Sequence, residues 1–442
     1  MAKLAAAFQN SILGFILLLM LLITHVYFTV RLKFIQRKIP EGVRLSFSKS
    51  HGEAGSMSPF ASLATSLAAT IGTGNIIGIS TAIAIGGPGA VFWCWVTGIF
   101  GIATCYAECF LSVKYRVKKE NGIYAGGPMY VLEGVLHKKK LAFLFTFFTI
   151  AASFGIGSSV QSHSISAAVS EKFQVSPHLT GMIAAVLAGS IVLGGAKKIA
   201  KVCTFLVPFM SLLYFGGCLF LMGINIEKVP AAVWVIVKSA FTSRSVAGGI
   251  AGTAVILGIR TGISKGLFTN EAGMGSIAIS AAEAKTASPV RQGIVSMTGV
   301  FWDTVVMCAI TGITIVSSML KMPEAYRNIE DDRLCFLAFS QIPGGDYILS
   351  VSLVLFAFAT IIGWSYYGEC AAGYLAGEKG ISWYKTAYIV SVYLGAVLSL
   401  ETVWNLADLF NTLMALPNLL SLWLLRKVII QETVCEERRN ML

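Results

Sequence analysis

Apolar residues run along this chain in blocks of about 17 to 25, the length an α-helix needs to cross a hydrocarbon core. Eleven such blocks can be placed, at approximately 8–30, 57–86, 90–114, 141–170, 179–195, 202–223, 250–283, 291–320, 346–376, 383–400 and 403–425. The pattern predicts an all-α, polytopic membrane protein with about eleven transmembrane helices. The block from Leu4 to Val30 is too long for the apolar region of a signal peptide and lacks a small-residue cleavage site, so it is expected to stay as a membrane helix.

Two blocks are broken by glycine and polar residues. The first reads Ala68-Ala69-Thr70-Ile71-Gly72-Thr73-Gly74-Asn75-Ile76-Ile77-Gly78, and the second Phe268-Thr269-Asn270-Glu271-Ala272-Gly273-Met274-Gly275. Hydrocarbon cannot hydrogen-bond the backbone groups that a break releases, so such backbone is expected only inside protein or beside a water-filled cavity. With the first helix set aside, ten remain, and each broken block opens a half of five. An odd number of helices per half inverts one half against the other. That 5+5 inverted repeat with two discontinuous helices is the layout of secondary transporters, whose ligand lies at the breaks. The expected division is an extra helix at 1–30, repeats at 57–223 and 246–425, and a cytoplasmic tail at 426–442.

Composition agrees with this picture: of 442 residues, 55% are hydrophobic and 13% charged, against roughly 25% charged in soluble domains. The net charge of +12 does not mark a nucleic-acid binder, because the basic residues lie in short loops between apolar blocks. If the amino terminus is outside, 24 of the 34 Lys and Arg fall on the inner side, which predicts a multi-pass cell-membrane protein, such as one of a bacterial inner membrane, with a cytoplasmic carboxyl terminus. The acidic Glu330-Asp331-Asp332 is expected in a solvated outer loop. Nine cysteines without a Cys-x-x-Cys pair and five histidines without ligand spacing predict no metal-cofactor site. No nucleophile-base constellation supports an intramembrane enzyme. An ion channel, the other competing class, would show flux that does not saturate.

The run Gly72-Thr73-Gly74-Asn75 to Gly86-Gly87-Pro88-Gly89-Ala90-Val91-Phe92-Trp93, followed by Tyr106-Ala107-Glu108 and Lys114-Tyr115-Arg116, resembles the alanine or glycine:cation symporter family. Thr269-Asn270-Glu271-Ala272-Gly273-Met274-Gly275-Ser276 matches its second signature. The family is similar to the leucine-transporter fold, with an extra helix before a ten-helix core. Its members carry alanine, glycine or related small neutral amino acids with Na+ or H+. The resemblance therefore implies symport of alanine, glycine or D-alanine, Na+ as coupling ion with H+ as the alternative, and no organic cofactor.

A zwitterionic ligand brings two charges into low dielectric, where each needs a partner. The amides of Thr73 and Gly74 are expected to take the carboxylate, and carbonyls near Thr70, Phe268 and Thr269 the ammonium. The alternative for Gly74 with Gly78 is a helix-packing notch. Asn75, Thr269, Asn270 and Gln161 are candidates for ligand contact or for bonds between helices. Gly273 is placed at the ligand with the rest of its signature. Phe268, Met274 and Trp364 are candidate pocket walls or ordinary packing.

The leucine-transporter fold implies one Na+ site from carbonyls in the first and eighth core helices and hydroxyls in the eighth. The matching positions are Ala68, Ile71, Ala357 and Thr360, with Ile361 where a second hydroxyl is usual. A second cation site would join Thr70, Asn75 and Thr269 to Asp303, for which structural pairing is the alternative. Glu271 is read as a coupling group or a local cap. Glu108 and Glu369 are expected to pair with basic residues of the inner loops.

Overall fold

The computed structural model describes residues 12–48, 54–120, 122–242, 251–326, 333–398 and 401–439. It is built almost wholly of helices. A bent amino-terminal pair, α1 (Ile12–Arg31) and α2 (Ile39–Ser46), precedes the first broken block, α3 (Pro59–Thr70) and α4 (Ile77–Gly86). Next come α5 (Gly89–Lys114), a hairpin pairing Val117 with Ala125 and Lys118 with Tyr124, and α6 (Pro128–Gly134). α7 (Lys139–Ala152) passes through a π-helical stretch, Ser153–Ser159, into α8 (Val160–Phe173). α9 (Pro177–Val192), α10 (Gly195–Ile224) and the short α11 (Val229–Ser239) lead to the second broken block, α12 (Ala251–Asn270) and α13 (Ser276–Ala281). α14 (Pro289–Val300) continues through a second π-helical stretch, Phe301–Cys308, into α15 (Ala309–Lys321). α16 (Leu334–Phe339), α17 (Gly345–Val397, kinked at Ala376 and Gly377), α18 (Glu401–Leu424) and α19 (Arg426–Arg439) complete the chain.

Local chemistry explains several starts. Three helices open with Ser-Pro, and the hydroxyls of Ser58, Ser176 and Ser288 accept from the amides of Ala61, Leu179 and Arg291 at 3.1, 3.4 and 3.1 Å. Serine satisfies an orphan amide there, while proline at the first helical position has no amide to lose.

The described residues of the eleven apolar blocks lie mainly on helix, interrupted at the two breaks. By length and hydropathy five helices among the described residues can cross a membrane, or up to eight if each bent pair is one span. The blocks at 346–376 and 383–400 share α17 and are divided by its kink, where Gly377 has φ 60°. Short helices that no apolar block predicted lie at 39–46, 128–134, 229–239, 334–339 and 426–439. Glu330-Asp331-Asp332 and residues 246–250 of the expected second repeat lie outside the described residues.

α9 and α10 turn Val186, Phe205, Phe209 and Leu212 outward, each more than 60% exposed. An apolar exterior suits lipid. Inside, Trp364, Tyr366 and Tyr367 of α17 are fully buried.

Candidate functional site

The first break is sharp. α3 and the segment Thr73–Gly86 meet at 62°. Ile71 leaves the helix in an extended conformation, and the Gly72 amide turns to Asn75 Oδ1 at 3.0 Å instead of a helical carbonyl. Among the described residues, the carbonyls of Ala68 to Ile71 consequently receive no backbone amide, and the Thr73 and Gly74 amides find no backbone acceptor. Both kinds of orphan group that helix ends create are thus exposed within a few residues.

Two helices close around this break. On α17, Thr360 Oγ1 lies so near Gly72 that an added Cβ would stand 2.6 Å from it, so only glycine permits the approach. One turn later Trp364 presses its Cβ against Gly157 in the π-helical stretch, where an added Cβ would stand 2.3 Å away. Gln161, one turn beyond Gly157, accepts from Thr73 Oγ1 at 3.2 Å and donates to Ile156 O at 3.2 Å. Thr73, Gln161, Thr360 and Trp364 are therefore drawn toward one buried locus. Ala357 lies buried one turn before Thr360, while the Ile361 carbonyl is taken by Tyr388 Oη at 2.7 Å.

Asn75 has partners within the protein at both ends of its side-chain amide. Its Nδ2 donates to Asp303 Oδ1 at 2.8 Å and to Asp303 O at 3.0 Å, while its Oδ1 holds Gly72. Asp303 lies in the second π-helical stretch, a geometry often found at functional sites, and its Oδ2 accepts from Thr304 Oγ1 at 2.7 Å. Of the four residues expected at a second cation site, Asn75 and Asp303 are joined. Among the described residues no hydrogen bond ties Thr70 or Thr269 to them, and the Thr269 hydroxyl donates back to Lys265 O at 2.8 Å.

The second break reverses through left-handed residues. Gly273 and Gly275 have φ of 86° and 87°, and Glu271, which is not a glycine, has φ 52°. Such values carry strain for a side-chain-bearing residue. The Glu271 carboxylate accepts from Ser276 Oγ at 2.5 Å, at the first residue of the helix that follows. Asn270 Oδ1 accepts from the Ala272 amide at 2.9 Å, and its buried Nδ2 has no partner among the described residues.

Glu108 corrects the expectation that it pairs with an inner-loop cation. One oxygen, Oε2, accepts from the amides of Gly273 and Gly275, both at 3.1 Å, and from Asn418 Nδ2 at 2.8 Å. Lys114, the nearest basic residue on its helix, instead meets Glu432 at 2.5 Å. Glu369 does pair as expected, with Lys385 at 3.0 Å. Gly273, expected at the ligand, has both backbone groups engaged within the protein: its amide goes to Glu108 and its carbonyl accepts from Asn418 at 2.9 Å. Met274 packs in the cluster of Leu21, Tyr106 and Ile277, away from the Trp364 wall. Phe268 belongs to α12, and its side chain lies outside the described residues.

Glu108 and Asn418 were not expected at the break. An acid more than a turn inside an apolar helix was the available signal for Glu108. Nothing local marked Asn418.

The model of the sodium:alanine symporter family matches residues 1–438. The chain is similar to the sodium/alanine symporter AgcS of Methanococcus maripaludis, 44% identical over 442 residues, covering 98% of this chain and 97% of the relative. The probable sodium/glutamine symporter GlnT of Bacillus subtilis is 39% identical over 432 residues, covering 95% and 87%. Among solved structures, MhsT in complex with L-phenylalanine shares the fold at TM-score 0.58 and 14% identity, over 87% of this chain and 99% of that one. A Na+-coupled sialic acid symporter does so at TM-score 0.53 and 12% identity, over 85% and 80%. With its two broken helices, its leucine-transporter-like fold and a family match along nearly its whole length, the chain belongs to the sodium:alanine symporter family, a family of membrane transporters.

Proposed function

We propose that the chain carries a small neutral amino acid, alanine foremost and glycine or D-alanine as further candidates, into the cytoplasm together with Na+ by alternating access. The observation that carries this reading is the division of labour between the breaks. Glu108 occupies the amides of Gly273 and Gly275, whereas those of Thr73 and Gly74 stay free beside Gln161. A substrate carboxylate then goes to the first break. Carbonyls of Thr70 and Thr269 would receive the ammonium, and Trp364 would wall the side-chain pocket.

Na+ would sit among the carbonyls of Ala68, Ile71 and Ala357 and the Thr360 hydroxyl, all hard oxygen ligands. Support comes from the released carbonyls of Ala68 and Ile71 and from the approach of Thr360 to Gly72. Repeats 57–223 and 246–425 would form the inverted core, with helix 1–30 outside it, the amino terminus outside the cell and the tail 426–442 in the cytoplasm. One Na+ crossing about 100 mV contributes roughly 2.3 kcal/mol, and a tenfold gradient about 1.4 kcal/mol. Tight one-to-one coupling would thus sustain about 500-fold accumulation.

The test is counterflow and net uptake of labelled alanine in proteoliposomes under an imposed Na+ or H+ gradient, with glycine, serine, leucine and glutamine as competitors. Uptake driven by Na+ and inhibited by glycine is expected. Uptake under neither gradient sinks the reading, and uptake under H+ alone replaces the cation.

A further inference from the structure

The motif Lys114-Tyr115-Arg116 ends α5 at the side where α3 begins and α13 ends. Here the chain before α3 and the chain after α13 run side by side. The amides of Ser56 and Met57 both donate to Glu283 O, at 2.9 and 3.1 Å, and those of Lys285 and Thr286 donate to Met57 O and Ala54 O, at 2.7 and 3.1 Å.

Arg116 spans this seam with one guanidinium. Nη1 donates to Ala282 O at 2.9 Å and Ala284 O at 2.8 Å, and Nη2 donates to Ala54 O at 3.0 Å and Thr286 O at 2.7 Å. Its Cζ lies 4.4 Å from the centre of the Tyr124 ring on the hairpin, a cation–π contact that fixes the plane. All of these hydrogen-bond partners are carbonyls. A planar fork with a fixed set of donors can serve four of them across two segments, which the compact ammonium of lysine cannot. Ser112, one turn earlier, adds a bond from Oγ to Ala278 O at 2.5 Å.

We propose that Arg116 is a positioning residue that fastens the start of α3 and the end of α13 to the end of α5, so that the three move as one body. The fastening itself stands on geometry alone, and its consequence for rate rests on the alternating-access reading. A loose seam would let one half-helix swing without the other, and the substrate-laden site would open less often per unit time.

Spin labels at the exposed Ala54 and Ala287, with Cys370 and Cys435 replaced by alanine, report the distance across the seam in full-length protein. The parent is expected to give one narrow distance distribution, with and without Na+ and alanine. Arg116→Lys and Arg116→Gln should each broaden it or add a longer distance. Na+-driven uptake should fall at least about tenfold in maximal rate while KM for alanine stays within about twofold.

A role limited to positive charge at a helix end would be rescued by lysine, and that rescue overturns the proposal. So does a distribution as narrow in both variants as in the parent, or a widened one with undiminished rate. Should the glutamine variant not elute as folded protein, the lysine variant carries the test. The distance measurement needs no transport, so absence of alanine uptake by the unsubstituted protein would count against the symporter reading alone.

Discussion

Asn75 grips Asp303 at two points, donating from Nδ2 to the carboxylate at 2.8 Å and to the main-chain carbonyl at 3.0 Å, while its own Oδ1 accepts the Gly72 amide. A single amide side chain thus bolts the first break to the π-helical stretch around Asp303. Asp303 is fully buried, and among the described residues none of its hydrogen-bond partners is a lysine or arginine.

Removing that bolt leaves a buried carboxylate short of a donor and a buried amide without an acceptor. Asn75→Ala is expected to cost about 2 to 4 kcal/mol, read as a fall in the thermal unfolding midpoint of detergent-purified protein. Asp303→Asn should be milder, because an amide oxygen can still accept from Asn75. If Asp303 carries a coupling proton, that variant will lose H+-driven accumulation while retaining exchange, whereas a structural Asp303 leaves any gradient-driven uptake in place.

Glu108 holds the second break through one oxygen. Glu108→Gln preserves an acceptor for the Gly273 and Gly275 amides and should lower stability by about 1 to 2 kcal/mol, whereas Glu108→Ala strands both amides and should cost about 3 kcal/mol or more. Thermal unfolding of the two variants side by side checks the order, and an alanine variant as stable as wild type would remove Glu108 from this role.

Thr360→Ala should raise the Na+ concentration for half-maximal uptake at least about fivefold, equivalent to about 1 kcal/mol of lost ion binding. Uptake measured across a Na+ series, at an alanine concentration saturating for each variant, isolates the effect. Unchanged Na+ dependence takes Thr360 out of the cation site.

Gly157→Ala drives a methyl group into the Trp364 Cβ. Overpacking of this kind costs about 1 to 3 kcal/mol, and moving Trp364 should alter the ranking of alanine against leucine and glutamine as competitors. The same substitution at Gly216, inside α10 with nothing within 4 Å of an added Cβ, should leave the ranking unchanged and should not lower stability, since alanine favours helix over glycine.

Much of the architecture was legible along the chain. Long apolar blocks predict helices because hydrocarbon leaves backbone groups no other partner, and the described residues of the blocks lie mainly on helix. Both breaks were legible too, since Gly72-Thr73-Gly74-Asn75 and Asn270-Glu271-Ala272-Gly273 put residues that release backbone where apolar helix formers are the rule. The pairing of Glu369 with Lys385 followed from their closeness at one end of a span.

Partner choice across the fold was not written in any local pattern. Asn75 satisfies either a ligand or Asp303 equally well as a residue type; only the approach of the segment around Asp303 to the first break selects the second. Glu108 and Asn418 stand 310 residues apart, and what joins them is the left-handed turn at Gly273 and Gly275, which aims two amides at one oxygen. Arg116 likewise reads as one more inner-loop charge until α3 and α13 bring four carbonyls within its reach. Sequence determined where backbone would be freed, because that depends on local conformational preference. Tertiary structure decided which freed groups the protein satisfies itself, at the second break, and which it leaves at Thr73 and Gly74, because that depends on what other helices bring within about 3 Å.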